Sequence, residues 1–288
     1  MMKVLITGAN GQLGSELKDL LTLESGYECY FLDRKQLPLD QILIIQDILS
    51  MYQPDIILNA AAYTSVDKAE SDQEMADKVN HLACEEIAQY CRINNVKLIS
   101  ISTDYVFNGT SSIPIKEDEE TDPINYYGLS KLNGENAILK WCPDAIIIRT
   151  SWVYSTYGNN FVKTMIRLMA EKNQISVIND QIGSPTYARD LAEAIITILK
   201  SNNWVSGIYN YSNEGEISWY DFAVEIKKIL NLNCEIIPIP TVQYPTPAER
   251  PRFSLLDKAK IKEIYKLNIP QWNESLKGML VKLINITN

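Results

Sequence analysis

The chain has 288 residues, 46% of them hydrophobic and 22% charged. That is ordinary globular composition, and the length suggests about two domains, or one large domain with a smaller partner. Acidic residues outnumber basic ones 36 to 27, a net charge of -9, which argues against sequence-independent nucleic-acid binding and against docking on anionic membranes, since both rest on excess cations. The opening apolar stretch Lys3–Thr7 is too short for a signal-peptide core, and no apolar run approaches membrane-spanning length. Cys29, Cys84, Cys91, Cys142 and Cys234 are odd in number and widely spaced, without a C-x-x-C pair. They read as reduced thiols of a cytoplasmic protein, with neither a disulfide framework nor a zinc site.

In chain order, Val4–Thr7 reads as a buried strand and Gln12–Leu21 as a helix. Tyr27–Asp33 is a second strand, Ile42–Tyr52 a helix, Asp55–Ala61 a third strand and Asp72–Asn94 a long helix. Lys97–Thr103 is a fourth strand, Tyr126–Cys142 a helix and Ala145–Tyr154 a fifth strand. Strands apolar on both faces that alternate with helices predict a parallel sheet covered on both sides. With right-handed crossovers this is an α/β doubly wound Rossmann sheet. After about residue 155 the pattern loosens. Phe161–Lys172 and Tyr187–Lys200 read as helices, and Ile175–Ile178 and Ile208–Tyr211 as short strands. The prolines between Pro238 and Pro251 predict loop, and Gln271–Ile284 a final helix. Residues 1–155 thus read as a dinucleotide-binding domain and 156–288 as a smaller C-terminal substrate-binding lobe, partly interleaved across a soft boundary.

The turn Gly8-Ala-Asn-Gly11-Gln12-Leu13-Gly14 joins the first strand to the first helix. Gly8 permits a tight turn, Gly11 a close approach of backbone to pyrophosphate, and Gly14 close packing of helix on strand. The helix start offers unpaired N–H groups and a partial positive charge to phosphate. The spacing is G-x-x-G-x-x-G, and glycine also serves turns generally; its place after the first strand favours the phosphate reading. Asp33 ends the second strand, where an acid would bind the adenine ribose, or where a carboxylate is simply solvated. Arg34 and Lys35 follow and could hold a 2′-phosphate, so the sequence points both ways on NADPH and NADH.

Tyr127 and Lys131 stand one turn apart on one helix face. Thr103 and Asp104 stand at the end of the fourth strand, where parallel sheets bind ligands. A carbonyl that accepts hydride needs a proton donor. A nearby Lys⁺ would stabilise tyrosinate and draw its pKa of about 10 towards working pH, and Thr103 can hydrogen-bond the same oxygen. The competing reading of Y-x-x-x-K is a solvated surface pair; the glycine turn and strand-end hydroxyls weigh against it.

These segments resemble the extended short-chain dehydrogenase/reductases and, within them, the dTDP-4-dehydrorhamnose reductases. The likeness spans the chain: GANGQLG (8–14), NAAAYTSVDKAE (59–70), STDYVFNG (102–109), YGLSK (127–131), RTSWVY (149–154), GNNFVKTMIRL (158–168), DQIGSPT (180–186), SWYDFA (218–223) and ERPRFSLL (249–256). The resemblance implies NAD(P)H-dependent reduction of a dTDP-sugar at C4. Tyr127 would be the proton donor, Lys131 its partner and a ribose ligand, and Thr103 would tune Tyr127. Gly11, Gln12 and Leu13 would line the pyrophosphate, Asp33 the adenine ribose, Asp40 and Gln41 the adenine edge, and Ala62, Tyr63 and Thr64 the length of the cofactor. Asn80 matches a helix Asn that orders water near the catalytic Lys. Thr103, Asp104 and Trp152 would touch the nucleotide-sugar.

The diphosphate of such a sugar needs local cations in an acidic protein, and Arg250 and Arg252 are the candidates, against solvated loop arginines. Trp219, Tyr220 and Phe222 read as helix packing, His81 as a packed or surface residue, and Glu117–Glu120 as a solvated face. Some members of the family are dimers bridged by Mg²⁺ through acids on the first helix and a later one. Glu16 is present here, but Arg189 stands where an acid is expected, so no metal ligand is assigned and Mg²⁺ is left open, as is the choice of monomer or homodimer. Two other readings remain: a reductase or epimerase of another nucleotide-sugar, and a regulatory subunit that keeps the fold without chemistry.

Overall fold

The computed structural model describes residues 1–201 and 203–287. Six parallel strands form the central sheet. Five come from the first half: β1 (Met2–Thr7), β2 (Tyr27–Leu32), β3 (Ile56–Asn59), β4 (Lys97–Thr103) and β5 (Ile146–Thr150). The sixth, Gly207–Tyr211, comes from the second half and pairs with β5, giving the order Gly207–Tyr211, β5, β4, β3, β1, β2. Thr7 sits beside Asn59 and Leu32, and Thr103 beside Thr150, so the carboxyl ends of the strands share one edge. The chain reverses its direction of travel across the sheet at β1, placing the switch point between β1 and β3, where open α/β sheets bind ligands.

The strands are apolar on both faces because both are covered. Val4, Ile6, Ile56, Leu58, Ile146 and Ile148 face α1 (Gln12–Leu21) and the helix Ala188–Lys200, with Leu17, Leu191 and Ile195 in contact. The alternate residues Leu5, Ile57, Leu98 and Ile147 meet Ile45, Leu49, Ile87 and Ile138 from the helices on the other side. At roughly 25 cal/mol per Å² of apolar surface removed from water, these two layers supply the main driving force for the fold. A third core, with Tyr154, Val162, Phe222, Leu276 and Met279, builds the C-terminal part.

Several elements differ from the sequence expectation. The long helix after Asp72 is broken into Gln73–Asp77, a π-turn at Lys78–Leu82, and Ala83–Asn94. The fifth strand stops at Thr150; Trp152 adopts a left-handed backbone (φ 47°), and Val153–Tyr154 resumes as a separate strand against Thr186–Tyr187. The proline-rich stretch is not all loop. Glu235–Ile239 pairs with Gln174–Ile178 and carries Pro238, which a two-stranded edge tolerates because a missing N–H can face outward. Glu117 is not merely solvated: its carboxylate accepts from Asn210 N at 3.0 Å, and its carbonyl from Arg149 at 3.1 Å.

Candidate active site

The carboxyl ends of β1, β3 and β4 open into one cleft of about 1130 Å³. Its floor begins at the glycine turn. Gly8 has φ +68°, and a Cβ there would lie 2.8 Å from Ala61. A Cβ on Gly14 would come within 2.2 Å of the Gly8 carbonyl, so Gly14 does not line the cleft but lets α1 sit tightly on the turn. Gly11, Gln12 and Leu13 do line it, and α1 starts there with no side-chain cap. Unpaired N–H groups and the positive end of the helix dipole thus face the opening. This cradle fits the diphosphate of a dinucleotide.

Asp33 lines the same cleft. Its carboxylate accepts from Lys35 N at 2.8 Å, Gln36 N at 3.1 Å and Asn10 Nδ2 at 3.1 Å. Those backbone hydrogen bonds hold its pKa below the usual carboxylate range. Arg34 is turned onto Asp40 at 2.8 Å and thereby lowers the Asp40 pKa. Lys35 and Asp40 also line the cleft, whereas Gln41 does not.

The next wall is Ala60–Thr64. Thr7 Oγ1 donates to Asn59 Oδ1 at 2.7 Å and accepts from Ala61 N at 3.1 Å. Buried Asn80 holds Tyr63 by both backbone groups, accepting from its N–H at 2.8 Å and donating to its carbonyl at 3.1 Å, and donates to Ser130 Oγ at 3.0 Å. The π-turn pushes the Asn80 carbonyl against the helix Tyr126–Trp141, where a Cβ on Gly134 would clash at 2.0 Å.

That helix starts at Asn125, whose Oδ1 caps Gly128 N at 2.8 Å. It brings Tyr127 and Lys131 to the cleft beside Thr103 and Asp104. Lys131 is buried and donates to the Ile101 carbonyl at 2.7 Å; burial lowers its pKa, opposed by Cys84 and by Glu135 one turn on. Tyr127 differs from expectation. Burial pushes its pKa up to about 12, against the hydrogen bond with Thr103. The ammonium that should draw it down is tied to a main-chain carbonyl. Tyr127 is therefore protonated near neutrality, the state a proton donor needs. Asp104 is 2% exposed. Thr103 Oγ1 donates to its Oδ1 at 3.1 Å, but Oδ2 makes no hydrogen bond among the described residues. Burial raises its pKa to about 7, against the Ser254 and Thr103 hydroxyls.

Trp152 and Trp219 close the cleft with rings stacked 3.7 Å apart and 13° from parallel. Trp219 is the residue the sequence reading missed. It opens the helix Trp219–Leu230, capped by Ser218 with Asp221, and packs on Phe161 at 4.6 Å, yet it also faces the cleft. The signal was the capping box, which marks the helix start and so places Trp219 at an end rather than mid-helix.

Arg250 and Arg252 are not brought to the cleft. Arg250 Nη1 and Nη2 bind Asp67 Oδ1 and Oδ2 at 2.9 and 2.8 Å, so a fixed carboxylate occupies the fork expected to grip phosphate. Arg252 is exposed on the loop. Nor do the acids on α1 fit a divalent cation. Fully buried Glu16 accepts from Ser155 Oγ at 2.6 Å and meets Lys282 at 3.2 Å and Arg189 at 3.6 Å. Protein cations already neutralise it.

A glycine-cradled switch point facing a Thr–Tyr–Lys set defines a dinucleotide-dependent oxidoreductase of the extended short-chain type. The comparisons narrow this. The family model described as RmlD substrate binding domain matches residues 2–285. The dTDP-4-dehydrorhamnose reductase of Aggregatibacter actinomycetemcomitans is 39% identical over 97% of this chain and 98% of its own length. Among solved structures, a dTDP-4-dehydrorhamnose reductase from Clostridium acetobutylicum superposes with a TM-score of 0.94 at 37% identity, covering 98% of this chain and 100% of its own. One from Bacillus anthracis in complex with NADP superposes with 0.93 at 39%, with the same coverage. The chain belongs to the dTDP-4-dehydrorhamnose reductase family.

Proposed function

We propose that this protein reduces the C4 ketone of dTDP-4-dehydro-L-rhamnose to the alcohol of dTDP-L-rhamnose, with NADPH as the preferred and NADH as the alternative cofactor. The observation that carries the reading is Thr103, Tyr127 and Lys131 meeting in the cleft that the glycine turn floors. NADPH, when bound, supplies the hydride that adds to the sugar C4. Tyr127 Oη gives its proton to the O4 that gains charge, and Thr103 hydrogen-bonds the same oxygen. Lys131 holds the nicotinamide ribose and offsets charge left on Tyr127. Gly11, Gln12 and Leu13 carry the diphosphate, Asp33 the adenine ribose, and Arg34 keeps Asp40 placed at the adenine edge. Ala62, Tyr63 and Thr64 lie along the cofactor, and Asp104 and Trp152 face the sugar.

Both arginines expected at the sugar diphosphate lie outside the cleft lining; to meet a substrate phosphate, Arg252 would have to swing in from its exposed loop and Arg250 would have to leave Asp67. The substrate lobe is drawn from the described residues after 155, apart from Gly207–Tyr211, which joins the cofactor sheet, and the helices Ala188–Lys200 and Ala259–Tyr265, which pack on it. No helix among the described residues is long and apolar enough to cross a membrane, and five free cysteines suit the cytoplasm. The test is NADPH oxidation with dTDP-4-dehydro-L-rhamnose, with the product identified by NMR. Turnover of another nucleotide-sugar but not this one would overturn the substrate, and no turnover of any would overturn the enzyme reading.

A further inference from the structure

The segment 246–254 is tied to residues that flank the cleft. Arg250 grips Asp67 with both nitrogens, and its Nη1 also donates to Thr246 Oγ1 at 2.6 Å and to the Ala248 carbonyl at 2.8 Å. Ala248 N donates to the same Asp67 at 3.2 Å. Asp67 lies on the short helix Val66–Ala69, next to cleft residues Ser65, Val66 and Lys68. One residue before Arg250, the Glu249 carbonyl accepts from Asn125 Nδ2 at 2.7 Å. Buried Asn125 is the cap of the helix that carries Tyr127 and Lys131. Beyond Arg250, Pro251 lies so close to Gly109 that a Cβ there would clash at 2.6 Å. Just past the same short helix, Glu70 Oε1 accepts from Tyr126 N at 2.8 Å, at the start of the catalytic helix.

A bidentate Arg–carboxylate pair fixes angle as well as distance. Here it joins the C-terminal segment to the 60–70 wall, and Asn125 passes that placement on to the first turn of the catalytic helix. Asn125 is a single side chain with one hydrogen bond on each partner: if the strap shifts, either the Glu249 bond or the Gly128 cap must lengthen.

We propose that Asp67 and Arg250 are positioning residues whose ion pair ties segment 246–252 to the 60–70 wall and, through Glu249 and Asn125, sets the place of Tyr127. This rests on the reductase reading for its kinetic readout but not for its structural one. Small misplacements of a reacting group cost much in rate, so Asp67→Asn and Arg250→Gln should each lower kcat by about tenfold while leaving the NADPH Kd within about twofold. The two should not add: the double variant should be no slower than the worse single, because both remove one link. Independently of any substrate, both variants should speed amide exchange in the peptide spanning residues 125–131, whose hydrogen bonds involve neither side chain directly.

Three results would overturn the strap. Arg250→Gln could raise KM for the dTDP-sugar alone while Asp67→Asn leaves KM unchanged or lower; Arg250 is then a phosphate ligand that Asp67 restrains. Both variants could lower melting temperature with kcat and residues 125–131 unaltered; the pair is then only structural. The double variant could multiply the single losses; the residues then act apart. If the unaltered protein reduces no dTDP-sugar, the function falls, and the exchange measurement still decides the strap.

Discussion

Asp104 offers a prediction in which stability and ligand binding share one cause. Its carboxyl is buried, Oδ2 makes no hydrogen bond within normal distance among the described residues, and burial raises its pKa from the usual 3.8 to about 7 against the Ser254 and Thr103 hydroxyls. In the unfolded chain it ionises near the usual value, so between about pH 4 and 7 the folded state binds the extra proton. Stability then falls as pH rises through that window, and the loss is complete above the folded pKa. A displacement of about three pH units corresponds to roughly 4 kcal/mol at about 1.36 kcal/mol each. Asp104→Asn keeps the shape and removes the titration. It should nearly match the parent protein near pH 4, where the carboxyl is neutral in the folded state and still partly protonated in the unfolded chain, and be more stable above pH 7.5 by up to that amount. At roughly 2 °C per kcal/mol for a chain of this size, the melting-temperature gap should open from near zero to about 5–10 °C.

Scanning calorimetry of both proteins across pH 4 to 8.5 measures the gap directly. A gap that stays constant would refute the reasoning, because it would mean Asp104 titrates alike folded and unfolded. The same oxygen predicts the ligand effect. A sugar hydroxyl donating to Oδ2 favours the ionised carboxylate, so binding should release a proton near neutrality. KM for the dTDP-sugar should fall as pH rises from 6 to 8, and Asp104→Asn should flatten that dependence.

Tyr127→Phe should lower kcat by about 10²–10⁴-fold with NADPH affinity unchanged; near-normal kcat in stopped-flow turnover would remove Tyr127 from the mechanism. Trp219→Ala should raise KM for the dTDP-sugar by roughly two- to tenfold, since a stacked aromatic partner contributes about 0.5–1.5 kcal/mol beyond its buried area, and Trp219→Phe should recover most of it; equal KM values for the two variants would show that the ring only fills space. Lys35→Ala should move the NADPH/NADH ratio of kcat/KM towards NADH more than Arg34→Ala does, because Arg34 is already committed to Asp40 at 2.8 Å; a larger effect from Arg34→Ala would reverse that assignment.

What was legible in the sequence is what is written locally. The strands β1, β3, β4 and β5 announce themselves because both faces are buried and the runs are short and largely apolar, whereas the edge strand β2 exposes Glu28 and is marked by its aromatic residues. The glycine turn is legible because steric need at Gly8 and Gly14 is a property of the turn itself. Tyr127 and Lys131 are legible because one helical turn joins them. The rest depends on partners that the chain brings from afar. The halt of β5 at Thr150 has no glycine or proline to mark it; Trp152 takes φ 47° because its ring is held on Trp219 and against Gly183. Gly207–Tyr211 looks like any short strand, and only its pairing with β5 shows that the cofactor sheet ends in the second half of the chain.

Arg250 shows the limit most clearly. A loop arginine in an acidic protein with a diphosphate substrate reads as a phosphate ligand, and its chemistry does fit that role. The same planar fork fits a carboxylate equally well. Which anion it takes is decided by whichever is already fixed within reach, and Asp67 stands 2.8 Å away, with Thr246 and Ala248 completing the shell. Turning Arg250 to a ligand would leave Asp67 without its cation, so the exchange costs the strap that holds the catalytic helix. Charge in the sequence therefore limits what a residue can bind, and the distance set by the fold selects among the candidates. That is why Asp67→Asn, a substitution at a residue with no evident role in the sequence, tests the arginine more sharply than removing the arginine itself.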